Sequence, residues 1–591
     1  MSKLNVDQKT IFALLSDRKA DFLIPDYQRP YAWDEEQCQT LWDDIFLFAF
    51  PNNNYEEFDE NEEYFLGSIV MYKNSAGKSE VIDGQQRLTT LMLVLRAFYD
   101  KFANMQDKNS KLTRDRIEQC IWKADTFGTA DKSTLKIFSE VATDNDKEAF
   151  LELLRSGEVK ASNKGQGEVK LGRESQYVAN YKFFQEKIEQ FTQDFAGYLP
   201  YLPARILNNC ILLPIEAESQ DTALRIFSTL NDRGLPLSDA DIFKAKLYNY
   251  YSDFDKKDEF IEEWKELEEI SSFIFSTNTG SPMDELFTRY MYFLRAKEGN
   301  KNTTTEALRK FYERNKYQYL RKDNTVNELK ALALFWQSIS CQDKLRFSEE
   351  VLRKLFVLRY APNGMWQHIT SVYFLQNRNR DGELEEVRFT KFLNKITAFI
   401  FTYAITNPGV NALRTPVYDE MINIVKGDEV TFSKYPFSET KARSFFENYV
   451  FTNQRYITRS MITWYAFTFP EQKLLDIEDI FHLEHIYSKK RQKMEEKINN
   501  GLRSEGNLES LGNKILLEAS INLRASDYRF EDKKKIYSGE QRRGKNKAVS
   551  KISEIAMLVG YQDFGEQQIM DRNKKILDKF FAFLRSEDLL L

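Results

Sequence analysis

The residues His482-Leu483-Glu484-His485-Ile486, followed by Leu511-Gly512-Asn513 and then Ile521-Asn522, decide the fold of the C-terminal part of this chain. Their order and spacing predict a strand ending near His485, a loop and second strand around Asn513, and a helix carrying Asn522. The chain holds three histidines, at 368, 482 and 485, so two of them fall within four positions, in a polar, basic stretch where burial does not explain them. One tension is built in. Neighbours on a regular strand face opposite sides, so Glu484 and His485 converge on one point only where the strand ends or distorts.

Outward from that stretch, charge is unevenly spread. The whole chain carries net charge −6, yet residues 481–591 hold 22 Lys and Arg against 17 Asp and Glu, and residues 489–551 hold 17 against 9. A basic surplus beside a histidine cluster suits a phosphate backbone. At 591 residues the chain is too long for one core, and 42% apolar with 14% aromatic residues can build several. We expect three parts, 1–252, 253–430 and 431–591. Cys38, Cys120, Cys210 and Cys341 lie far apart with no C-x-x-C pair and read as thiols of a reducing cytosol. With no signal-like start and no run of about 20 apolar residues, the expectation is a cytoplasmic protein without membrane contact.

The rest of the chain supplies the frame. Residues 6–18 read as a short helix, Phe22–Pro25 as extended, and a helix follows Asp34, which can cap it. Tyr64–Tyr72 and Glu80–Ile82 read as a hairpin through Asn74-Ser75-Ala76-Gly77, with an apolar helix over Leu88–Phe98. Residues 156–175 read as a surface insertion, Cys210–Ile215 as a strand, and Ser238 as a helix cap. From about 253 to 475 the pattern is helical and aromatic and names no chemistry. A Lys-rich helix is expected near 531–537.

Phosphodiester hydrolysis needs an activated water, a cation on the phosphate oxygens and ligands that hold that cation. His485 as neutral imidazole can take the proton from water, and Glu484 with the Asn522 amide oxygen can ligate Mg2+ (or Mn2+). Asn513 would orient the His485 ring or the phosphate. His482, Lys489, Lys490, Lys533 and Lys534 are expected to support the site or bind DNA. This is the residue set of an HNH nuclease with a ββα-metal core, although each residue alone is also what a turn or solvated surface uses. Zinc is disfavoured, because residues 481–591 contain no cysteine.

A second constellation lies near the other end. Val81-Ile82-Asp83-Gly84-Gln85-Gln86-Arg87 places a strand, a glycine turn and a helix N-terminus in sequence, an arrangement that suits a phosphate. Gln28-Arg29-Pro30-Tyr31-Ala32-Trp33 adds a forked donor and an aromatic face. Taken alone this is also an ordinary strand-to-helix turn with a surface ion pair. Gly77-Lys78-Ser79 is not a P-loop, because Tyr72 stands where the motif's first glycine belongs and a strand follows.

Three motifs in order, Ile24-Pro25-x-Tyr27-Gln28-Arg29-Pro30-Tyr31-x-Trp33, Asp83–Thr89, and Ile226-Phe227-x-x-Leu230-Asn231-x-x-Gly234-x-x-Leu237-x-x-x-Asp241-x-x-Lys244, resemble the GmrS half of GmrSD-type restriction proteins. Glu484-His485-Ile486, Leu511-Gly512-Asn513-x-x-Leu516-Leu517, Asn522 and Phe530-x-x-Lys533-x-x-x-Tyr537 resemble the GmrD half, as in BrxU and SspE. Two positions depart from it: Ser488 replaces a usual proline, and Lys514 a usual apolar residue. The resemblance implies a ParB/sulfiredoxin-like α/β nucleotide-binding domain, with Gln28, Arg29, Asp83, Gln85, Gln86 and Arg87 as nucleotide contacts and Asn231, Asp241 and Lys244 as further candidates. The expectation is α/β plus mainly α: that domain, a helical middle and an HNH nuclease embedded in helices. It would be a nucleotide-regulated, modification-sensing DNA endonuclease of anti-phage defence, using Mg2+ or Mn2+ and an NTP (GTP or ATP) on double-stranded phage DNA, with homo-oligomerisation open. The rivals are a DNA-associated NTP switch with an inactive nuclease, and an NTPase acting on RNA or protein.

Overall fold

A computed structural model describes residues 5–591, apart from 142–143, 158–174, 221, 225, 227–237, 276–280, 302–305, 315, 323, 410, 499–500 and 540–547. The chain divides into two compact units, Met1–Lys265 and Glu266–Leu591. The helical stretch after 265 and the residues from 431 onward therefore share one unit. Most of the insertion expected at 156–175, and the motif residues 227–237 with Asn231, lie outside the described residues.

The first unit holds strands β1 (Asn5–Val6), β2 (Lys9–Thr10), β3 (Phe22–Ile24), β4 (Tyr64–Lys73), β5 (Ser79–Asp83), β6 (Trp122–Ala124), β7 (Ala130–Leu135), β8 (Ile137–Ser139) and β9 (Cys210–Ala217). One sheet runs β1-β9-β4-β5-β3-β8, with β2 also on β9, while β6 and β7 pair separately. The expected helix over 6–18 is shortened to Ile11–Leu15, because the residues before it add strands to β9. The β4–β5 turn is closed by the Asn74 side chain, which accepts from the N–H groups of Ala76 and Lys78. That confirms a hairpin at Gly77-Lys78-Ser79.

Helix α1 (Glu35–Ala49) starts at the expected cap, where Asp34 and Gln37 form a reciprocal capping box. Helix α2 (Gln85–Lys101) follows β5 through Gly84, whose φ of +86° reverses the chain in one residue; a side chain there would be strained and would meet Ser68 O at 3.0 Å. Leu88, Leu91, Met92, Leu93, Val94, Leu95 and Phe98 are all buried, so α2 is the core helix of the unit, packed on α3 (Gln176–Asp194). Ser238 and Asp241 form a second capping box at α4 (Asp239–Ser252).

The second unit opens with α5 (Pro282–Lys297), α6 (Thr325–Ser340), α7 (Glu349–Leu358), α8 (Met365–Asn377), α9 (Glu386–Thr406), α10 (Arg414–Lys426) and α11 (Tyr456–Ala466). Stacked rings fill its core, as in Phe335–Phe374 at 4.1 Å and Tyr373–Phe392 at 4.0 Å. His368 belongs to this core: it stacks on Tyr292 at 4.3 Å, and burial, with Arg289 and Arg414 nearby, pushes its pKa down to about 3. After the bundle come β10 (Phe481–His485), α12 (Lys489–Glu496), β11 (Lys514–Glu518), α13 (Ala519–Ala525), α14 (Phe530–Tyr537) and α15 (Glu566–Ser586). β10, β11 and α13 make the hairpin-plus-helix expected from 481–522. The chain end returns to the bundle, where Leu591 N donates to Phe437 O and Phe437 N to Leu589 O.

Candidate functional site

β10 pairs antiparallel with β11, setting His482 opposite Leu517, Glu484 opposite Ile515 and His485 opposite Lys514. Alternation sends His482 and Glu484 to one face and His485 to the other. The strand is regular through His485. The convergence of Glu484 and His485 on one point, which the sequence reading made conditional on a distorted strand, is not met here.

On the His485 face, Lys514 Nζ lies 2.6 Å from His485 Nε2 and donates to Glu509 Oε2 at 2.5 Å and Asn453 Oδ1 at 2.7 Å. Glu509 also lies 3.4 Å from Nε2 and receives Lys489 at 2.6 Å. Burial and the Lys514 charge, opposed by Glu509, push the His485 pKa down to about 4, so the ring is neutral at pH 7. Burial pushes the Glu509 carboxyl up, but its bonds from Lys489 and Lys514 prevail and hold it at about 2. Burial lowers the Lys514 ammonium to about 8 against the pull of Glu509. Two tautomers follow. With Nε2–H directed at Glu509, Nδ1 is the basic atom; with Nε2 accepting from Lys514, Nδ1 carries the proton and no lone pair is left for water.

On the other face, Glu484 is 6% exposed and its Oε1 accepts from Lys533 Nζ at 2.5 Å and Tyr537 OH at 3.0 Å. Burial raises its pKa and Lys533 counters it. Lys533 and Tyr537 are one helical turn apart on α14, which is why they reach the same oxygen. Lys533 also donates to His485 O at 2.7 Å. It is fully buried. Lys534 donates to Tyr561 O and Gln562 O. Lys489 and Lys490 are exposed beside His485.

Asn522 projects from α13 to the Glu484 face, with its Nδ2 3.4 Å from His482 Nδ1. Its Oδ1 is buried without a hydrogen-bond partner, and both bonds to Glu484 go to Oε1, leaving Oε2 with none among the described residues. Two vacant hard-oxygen acceptors fit a hard divalent cation. No cluster of three His, Cys, Asp or Glu side chains able to hold a metal occurs among the described residues, so such an ion would keep much of its water.

Asn513 is fully buried, and its expected contact with the ring or a phosphate is corrected. Its Oδ1 accepts from Tyr487 N at 2.7 Å, and its Nδ2 donates to Tyr487 O and Leu508 O. It staples the backbone that leaves His485. Ser488, where proline was expected, accepts from Arg491 N and caps α12, so the turn is set by a cap instead of a ring. Glu509, Asn453 and Lys514 were not read as site residues; Lys514 alone was flagged, as a departure from pattern.

In the first unit, burial raises Asp83 and lowers Arg87, each partly offset by the other, and Arg29 also acts on Asp83. Arg87 donates to Ser68 O at 3.1 Å. The three glutamines hold backbone, Gln28 on Ile82 O, Gln85 on Arg29 O, and Gln86 on Pro30 O and the N–H groups of Ala32 and Trp33, while Gln85 Oε1 is buried with no partner among the described residues. They shape the segment 28–33 at the N-terminus of α2; Gln85 keeps an open acceptor, whereas Gln86 has both amide atoms on backbone, which corrects its expected role as a direct ligand contact. Asp241 is likewise occupied in its capping box, and Lys244 is buried against Trp264.

Comparison with known families gives two matches: residues 11–248 match the GmrSD restriction endonuclease N-terminal domain, and residues 434–579 the GmrSD restriction endonucleases C-terminal domain. No curated protein matches. Both halves occur in one chain and in order, and the second covers the hairpin, Glu509 and the α14 partners of Glu484, so this chain belongs to the GmrSD restriction endonucleases.

Proposed function

We propose that this restriction endonuclease cuts DNA by HNH-type hydrolysis at His485, under the control of a nucleotide bound in a ParB/sulfiredoxin-like first unit. The observation that carries the reading is the pairing of a neutral imidazole at the end of β10 with a carboxylate, Glu509, beside its Nε2. Glu509 holds the Nε2–H tautomer, His485 Nδ1 takes the proton of the attacking water, and Lys489 with Lys490 neutralises the phosphate. Glu484 Oε2 and Asn522 Oδ1 would hold Mg2+ or Mn2+, which when bound supplies charge to the phosphate oxygens. At the other site, Arg29, Arg87 and the start of α2 would take the nucleotide phosphates, with the backbone around Trp33 shaped by Gln85 and Gln86.

The inactive-switch reading keeps one observation in its favour: Lys514 sits on His485 Nε2, the arrangement that leaves no basic lone pair. The discriminating experiment is cleavage of matched modified and unmodified phage DNA with Mg2+ or Mn2+, with and without ATP and GTP. Metal-dependent cutting that changes with nucleotide supports the proposal. Undiminished cutting in chelator removes the metal, and DNA binding without cutting under every condition favours the switch.

A further inference from the structure

The second unit forms a cavity of about 1060 Å3 that is open to solvent on one side. Small-molecule sites usually span ~300–1,000 Å3, so this space accepts a sizeable ligand. Its chemistry is specific. Trp336, Trp366, Phe356 and Tyr360 present ring surface to it, which favours a planar ligand. Arg359 and Arg459 also line it, and neither has a carboxylate partner among the described residues; Arg459 lies over the Tyr360 ring at 5.3 Å, and Arg359 donates to Ile477 O at 2.6 Å. Deeper in, Arg289 is sandwiched by Trp336 at 4.2 Å and Phe275 at 4.6 Å, with Nε on Glu285. Its Nη1 is buried with no partner among the described residues, a donor that has lost its hydration and gains an acceptor only from a ligand.

The cavity also touches the nuclease strand. One wall is the strap Ile477–Ile480, pinned by Arg359 to Ile477 O and by Gln342 to Leu475 O and Ile477 N. The strap runs directly into Phe481, which lines the cavity and begins β10. Four acids line the cavity, Asp284, Glu285, Glu478 and Asp479; Glu285 is matched by Arg289 at 3.0 Å and Asp479 by Lys551 at 2.5 Å, and Glu478 lies in the strap itself.

We propose that this cavity binds a nucleotide, with its base against the Trp366 and Phe356 rings and its phosphate at Arg359 and Arg459. The phosphate competes with Ile477 O for Arg359 and repels Glu478, so occupancy shifts the strap and with it β10. The ligand is either a free nucleotide or one swung out of duplex DNA; base stacking and guanidinium–phosphate contact are common to both. This site is separate from the one proposed in the first unit and does not depend on the His485 chemistry.

The test uses the full chain carrying Arg87→Ala, which is expected to weaken the nucleotide site proposed in the first unit. Calorimetry with ATP and GTP reads the free ligand, and fluorescence of a duplex containing 2-aminopurine reads an extruded base. One of the two probes is expected to bind, and Arg459→Ala to weaken it roughly tenfold. Trp366→Leu is a second variant that removes the ring and leaves the charge, and it is expected to weaken the same probe. Circular dichroism verifies the fold of each. A calorimetric signal assigns the free nucleotide, and a change in 2-aminopurine fluorescence that is altered by Trp366→Leu assigns the DNA base. Absence of both signals in the Arg87→Ala protein, or binding unchanged by both further substitutions, overturns the proposal while leaving cleavage by His485 to its own test.

Discussion

Which nitrogen of His485 is basic decides whether the hairpin can do chemistry. The ring is neutral down to about pH 4, so cutting that uses it as a base should hold its rate through pH 6 and fall only as the pH nears 4, instead of below 6.5. Lys514→Met removes a charge that holds the ring low and leaves Glu509, which pulls it up; the acid limb should move toward 6.5, giving slower cleavage at pH 5.5 and little change at pH 8. A pH–rate profile of both proteins checks this, and superimposed profiles refute it. The stability signs follow the same shifts. The unfolded imidazole protonates near 6.5, so the fold loses stability as pH falls from 6.5 to about 4, and the Glu509 contribution is lost from about 4.5 toward 2. Asn522→Ala should abolish cutting with little change in melting temperature, because Oδ1 makes no hydrogen bond. Asn522 and His485 were legible in the sequence because their residue types announce their chemistry. Glu509 was not, since an acid in a loop of mixed charge gives no signal until the β10–β11 register sets Lys514 against His485.

Among elements, the loop before β11 is held from outside. Arg572 on α15 is buried, clamps Glu554 through two nitrogens at 2.6 and 2.9 Å, and donates to the carbonyls of Leu511, Gly512 and Lys514. Arg572→Ala should cost about 3–5 kcal/mol, because it leaves Glu554 buried and uncompensated, and chemical denaturation measures it. Gly512 permits α15 to approach: a Cβ there would meet Ile569 O at 2.0 Å and the Asn573 backbone at 2.9 Å, so Gly512→Ala should destabilise by about 3 kcal/mol. Glu484→Gln strands the Lys533 ammonium and should cost a similar ~3–5 kcal/mol, whereas Glu484→Gln with Lys533→Met should recover most of it. Lost activity in Glu484→Gln alone therefore does not identify a metal ligand. The β10–β11–α13 order could be read from residues 481–522, but the Lys533–Glu484 pair could not: charge in a Lys-rich helix reads as solvated surface until packing buries one lysine in three. The strands before Ile11 were missed because two-residue edge strands form by pairing with a distant β9 and carry no periodicity of their own.

Across the molecule, two compact units carry the two proposed activities, so they should separate by mutation. Arg87→Ala should weaken nucleotide binding by calorimetry and leave the melting of the second unit unchanged, while His485→Ala should leave nucleotide binding intact. The aromatic bundle was legible as helix and silent as chemistry, because a cavity is made by several helices and leaves no motif in any one of them. The most direct measurement is plasmid cleavage by the purified full chain with Mg2+ or Mn2+, comparing the unaltered protein with His485→Ala. The account predicts metal-dependent nicking or linearisation by the former and none by the latter, with DNA binding retained. Equal cleavage by the two proteins would contradict it.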